Sequence, residues 1–76
     1  MTNDMTTKML EDSLNKVVLL RLKGNRSIRG ILRGHDTHLN IMLQDAEDIS
    51  SPENVQKLGT IIIRGDNLIL LSPASG

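Results

Sequence analysis

The chain contains no cysteine and no phenylalanine, tryptophan or tyrosine. Without cysteine there are no disulfides and no thiolate–metal sites. Without aromatic residues, the flat groups that could stack on a planar ligand reduce to His35, His38 and the arginine guanidinium groups. No apolar run approaches the roughly 20 residues needed to span a bilayer, so no membrane association is expected. The opening Met1-Thr2-Asn3-Asp4-Met5 has neither a basic start nor an apolar core. No secretory leader is therefore expected, and a reducing, cytoplasmic setting suits a chain without cysteine. Excess charge is also lacking, since 9 basic residues balance 9 acidic ones, which argues against unspecific polyanion binding. At 76 residues the chain is one small domain. It buries only a modest core, so self-association is the most available source of extra stability.

Chemistry for turnover is also sparse. There is no phosphate-binding loop, dinucleotide fingerprint or nucleophile-elbow serine. His35, Asp36 and His38 fall within one short stretch, but three ligand types in one turn are a weak metal signal. The expectation is no enzyme, no metal and no cofactor.

What is present reads as a short helix followed by five strands. Residues 1–6 read as a flexible tail, 7–73 as one domain and 74–76 as a C-terminal tail. Thr7 suits a helix N-cap with Glu11 and Asp12 near the favourable end. Leu10 and Leu14 share one face, and Asn15 suits the exit. Val17–Leu22 is rich in branched residues and reads as a strand. Lys23-Gly24-Asn25 reads as a turn. Arg26–Arg33 alternates, with Ile28, Gly30 and Leu32 on one face, and Gly30 marks a sharp bend or close backbone approach. His38–Gln44 alternates again, placing His38 and Asn40 on a common strand face. Asp45–Asn54 reads as a polar linker, Val55–Arg64 as a strand, Gly65-Asp66-Asn67 as a tight turn and Leu68–Leu71 as a last strand. Short strands with glycine-containing turns favour a small all-β antiparallel barrel.

Two patterns point beyond the single chain. Lys16–Arg33 holds six basic residues and no acid, whereas His35–Glu53 holds five acids and no Lys or Arg. These segments either build opposed faces or pair across a hairpin. Ile61–Ile63 and Leu68–Leu71 are apolar on both faces, so each needs cover on two sides, and a ring of subunits joined edge to edge would supply it.

The polar residues beside these runs are the candidate site. His38 offers a ring that can stack on a base, Asn40 an amide that donates and accepts, and Arg64 a planar cation. Asp66 could hold the Arg64 guanidinium or cap its own turn, and Asp36 could hold the loop that carries His38. Each of these residues also suits a purely structural role.

The segments 26–43 (Arg26-Ser27-Ile28-Arg29-Gly30-Ile31-Leu32-Arg33-Gly34-His35-Asp36-Thr37-His38-Leu39-Asn40-Ile41-Met42-Leu43) and 61–67 (Ile61-Ile62-Ile63-Arg64-Gly65-Asp66-Asn67) resemble, in that order, the two motifs of the Sm and Sm-like protein family, in particular its short archaeal members. The resemblance spans about residues 9–73. It implies a strongly bent five-stranded antiparallel barrel with an N-terminal helix. It also implies a ring of seven, or six, subunits joined through their fourth and fifth strands. U-rich single-stranded RNA would bind around the pore, and RNA-processing proteins would be partners. By position, His38 would stack on uracil, Asn40 would bond its edge and Arg64 would stack from the other side. Gly65 would allow close approach, and Asp66 and Asp36 would orient the site. His35 stands where the family often has an aromatic residue, and it adds a titratable group near the site. Two rival readings are a ring that serves mainly as a protein-assembly platform and a small hydrolase using His38 and Asp36.

Overall fold

The computed structural model describes residues 4–74. The elements run α1 (Asp4–Asp12), β1 (Val17–Leu22), β2 (Arg26–His35), β3 (Ile41–Asp48), β4 (Gln56–Ile63), a single 3-10 turn (Gly65–Asn67) and β5 (Leu68–Pro73). All strand pairings are antiparallel, and the sheet order is β4-β3-β2-β1-β5. The first and last strands of that order are β4 and β5, so each keeps an unpaired edge within this chain. The sheet bends around one core of Leu10, Val18, Leu20, Leu22, Ile28, Leu32, Ile41, Leu43, Ala46 and Ile63.

The bend has local causes. Gly30 is buried, and a Cβ there would lie 3.2 Å from the Ala46 Cα and from the Leu43 Cβ. Only a bare backbone lets β2 and β3 close to that distance. The β2–β3 register shifts between Arg29 and Ile31 and again between Leu32 and Gly34. Such shifts kink a strand and raise its twist. Asp45 takes a left-handed backbone (φ 54°) where the β3–β4 register also shifts, and Gly59 does the same opposite Ala46 (φ 76°).

Several expectations are corrected. The helix already includes Asp4, three residues before Thr7, so residues 4–6 are not tail. Asp4 is itself a good helix-start residue, and nothing in Met5-Thr6 breaks a helix. Thr7 is therefore interior, and Glu11 and Asp12 fall in the last turn, where the helix dipole disfavours acids. Leu10 is buried and Leu14 packs against the core, as their spacing implies. Residues 1–3 and 75–76 of the expected tails lie outside the described residues. The polar linker is shorter than expected, because β3 runs on to Asp48. The strand expected from His38 starts only at Ile41, after a turn.

The charge segregation resolves partly into pairs. β2 and β3 place Arg29 opposite Glu47 and Ile28 opposite Asp48, and ion pairs form between Arg29 and Glu47 and between Arg26 and Asp48, the latter at 3.0 Å. The edge strands show the two-sided apolar pattern in three dimensions. Ile62 on β4 is 62% exposed, and Ile69 and Leu70 on β5 are 60% and 54% exposed.

Candidate nucleic-acid interface

Two short loops meet at one end of the sheet. The first joins β2 to β3 and is organised by Asp36. Its Oδ1 accepts the backbone N–H groups of His38 and Asn40, both at 2.9 Å, and its Oδ2 accepts an N–H of the Asn40 side chain at 3.0 Å. The backbone closes on itself as well, since Leu39 N–H donates to the Asp36 carbonyl at 3.1 Å and Asp36 N–H to the Asn40 carbonyl at 3.2 Å. Leu39 is forced into a left-handed conformation, with φ 62°. These donors hold the Asp36 carboxyl below its ordinary value, the Asn40 backbone N–H contributing most, then the Asn40 side chain.

The second loop follows β4. Arg64 leads into the 3-10 turn, whose Asn67 N–H returns to the Arg64 carbonyl at 3.0 Å. The loops are joined by one hydrogen bond, from Gly65 N–H to Asn40 Oδ1 at 2.9 Å. A side chain at Gly65 would collide with the His38 carbonyl oxygen and the Leu39 backbone. Glycine is therefore required here for space. The Asn40 amide is oriented without ambiguity, because its oxygen faces a donor and its nitrogen faces an acceptor. Each group retains one free position, a lone pair and an N–H.

In front of this joint lies an open cleft of about 560 Å³ lined by His38, Asn40, Ile62, Arg64 and Asp66. Arg64 and Asp66 approach only to 3.8 Å, and their side chains are 77% and 68% exposed. The cleft thus presents an imidazole ring, a planar cation, an amide with donor and acceptor capacity and a carboxylate. Such a set can sandwich a planar base and bond its edge. A smaller cleft of about 180 Å³ lies beside it, lined by Gly34, His35, Asp36, Asn40, Ile41, Met42 and Ile62.

The six sequence-derived candidates thus converge, in two tiers. His38, Asn40, Arg64 and Asp66 line the larger cleft, whereas Asp36 and Gly65 support it through Asn40. His38 and Asn40 do not share a strand face, because both precede β3 and Leu39 between them is left-handed. Asp36, expected to hold the loop, does so, and Asp66 holds Arg64 only loosely. Two residues escaped the sequence reading. Leu39 carried no signal for its conformation, and Ile62 was visible only as part of a run needing cover. No group of three or more metal-ligating side chains forms among the described residues. Among them, no helix is long and apolar enough to cross a membrane.

The LSM domain family profile matches residues 8–73. An snRNP Sm-like protein of Methanococcoides burtonii is 48% identical over 65 residues, covering 86% of this chain and 90% of the relative. The P. aerophilum SmAP1 heptamer superposes with a TM-score of 0.86 at 46% identity, covering 92% of this chain and 93% of that one. The Pyrococcus abyssii Sm protein, solved in complex with a uridine heptamer, gives a TM-score of 0.83 at 46% identity, covering 90% and 96%. A five-stranded bent sheet led by a short helix, with both sequence motifs meeting at one cleft, defines a class of small β proteins. This chain belongs to the LSM, or Sm-like, family.

Proposed function

We propose that this protein is a non-catalytic, ring-forming RNA-binding protein that prefers uridine-rich single strands. It acts as a scaffold or chaperone in RNA processing or turnover. The observation that carries this reading is the cleft in which His38, Asn40 and Arg64 face one open space over a locked joint. His38 stacks on one face of the base, Arg64 covers the other, and Asn40 reads the edge. Asp36 and Gly65 hold Asn40 in place. The likeness to a protein solved with a uridine heptamer supports the ligand class.

The ring follows from the two free edges. β4 and β5 sit at opposite ends of the sheet and both expose apolar side chains. Pairing β4 of one copy with β5 of the next is a head-to-tail contact, which gives a ring where the rotation between copies closes and a filament where it does not. A ring of seven is the size proposed, in line with the heptameric relative. Repetition of a weak site raises affinity for a multi-base ligand without bulk positive charge.

Native mass spectrometry with and without oligo-U tests both parts. The expected result is a seven-subunit species that takes up one oligo-U strand, with uptake lost in Arg64→Ala while the ring persists. A monomer, or equal uptake by both proteins, contradicts the reading. A stable ring that binds protein but not RNA would favour an assembly platform instead.

A further inference from the structure

The carboxylate of Asp66 differs from that of Asp36, the other acid of the two joined loops. Asp36 accepts three N–H groups. Asp66 makes no hydrogen bond among the described residues, and its one ionic contact is the exposed 3.8 Å approach to Arg64. It nevertheless lines the cleft beside His38, Asn40 and Arg64. An ionised carboxylate only accepts hydrogen bonds and repels phosphates. In a cleft that takes a polyanion it weakens binding unless the ligand brings a donor to it.

A uridine nucleotide offers two donors, the N3–H of the base and the 2′-hydroxyl of the ribose. Asn40 retains one lone pair and one N–H on its amide, the acceptor and the donor that the N3–H and a carbonyl oxygen of uracil require. That leaves the 2′-hydroxyl for Asp66. We propose that Asp66 accepts a hydrogen bond from the ribose 2′-hydroxyl and thereby selects RNA over DNA at the cleft that Arg64 and His38 form. This rests on the RNA-binding reading above and adds the sugar to its ligand. A 2′-hydroxyl is the group by which a protein distinguishes the two nucleic acids at a given position.

The test compares oligo-U, oligo-2′-fluoro-U and oligo-dU of equal length on the natural chain, Asp66→Ala and Asp66→Asn. The 2′-fluoro sugar keeps the ribose pucker but lacks the donor, so it separates hydrogen bonding from sugar shape. The natural chain is expected to prefer oligo-U over both other strands by about tenfold or more, the scale of one hydrogen bond to a charged acceptor. In Asp66→Ala that ratio collapses towards one. Asp66→Asn, which keeps a neutral acceptor, retains part of the preference. Each ratio is taken within one protein, so a loss of folded fraction does not distort it. Equal binding of oligo-U and oligo-dU by the natural chain overturns the proposal, as does an undiminished ratio in Asp66→Ala. Failure of every strand to bind the natural chain overturns the RNA-binding reading and this inference with it.

Discussion

Asn40 and Gly65 are 25 residues apart in sequence and joined by a 2.9 Å hydrogen bond from the Gly65 backbone to the Asn40 side chain. This single bond fastens the loop that carries His38 to the loop that carries Arg64. It also aims the Asn40 amide. The site is therefore one unit made from two motifs, and its parts should fail together.

Gly65→Ala should break that unit by collision. The added methyl would overlap the His38 carbonyl and the Leu39 backbone, which a flexible side-chain end cannot relieve. A loss of about 1–3 kcal/mol in unfolding free energy is expected, together with loss of oligo-U binding. Gly24→Ala is the control. It has open space around it but a left-handed backbone (φ 83°), so it should cost about 1 kcal/mol and leave RNA binding intact. Denaturant melts and binding titrations check both.

Asp36→Ala should leave three N–H groups of the His38–Asn40 loop without their acceptor. The side chain never enters the larger cleft, yet oligo-U affinity should fall because His38 and Asn40 lose their placement. Amide NMR shifts at 38–40 and 65 should move together, while those of β1 stay put. Unchanged affinity would show that the loop holds its shape without Asp36.

How far this could be read beforehand differs by element. The Val17–Leu22 strand and the inward face of Ile28, Gly30 and Leu32 were legible, because branched residues and alternation report directly on a half-buried sheet. The need for cover on Ile61–Ile63 and Leu68–Leu71 was legible for the same reason. The His38–Asn40 turn was not. Alternation runs through it in residue type, and what breaks it is the left-handed Leu39, a conformation for which leucine carries no compositional signal. The Asn40–Gly65 bond was hidden too, since no local spacing reports a contact between distant loops. The helix start was missed because two good cap types, Asp4 and Thr7, lie three residues apart.

Acid should loosen the β2–β3 hairpin. The Ser50 hydroxyl, the Ser50 backbone N–H and Arg26 hold the Asp48 carboxyl at about 2, below the ordinary 3.8. A carboxyl lowered in the folded state stabilises it above the unfolded value, and that contribution is lost as pH falls through the folded value. The melting temperature should therefore drop between about pH 4 and pH 2. Asp48→Asn should start lower and show a flatter acid limb. An identical acid limb in both proteins would remove Asp48 from the account.

Leu70→Lys places a charge on the exposed apolar edge of β5, away from the cleft. Light scattering should show loss of the ring. Oligo-U affinity should fall by about 10²-fold or more as multivalency disappears, although every residue of the cleft is unchanged. A ring that survives would show that β5 is not the joining edge.

The most direct test of the central claim is equilibrium binding of labelled oligo-U and oligo-A at fixed moderate salt, for the natural chain and His38→Ala. The account predicts tight binding of oligo-U, weak binding of oligo-A, and loss of the difference in the variant. Equal binding of the two RNAs by the natural chain, or a preference that survives in His38→Ala, would contradict it.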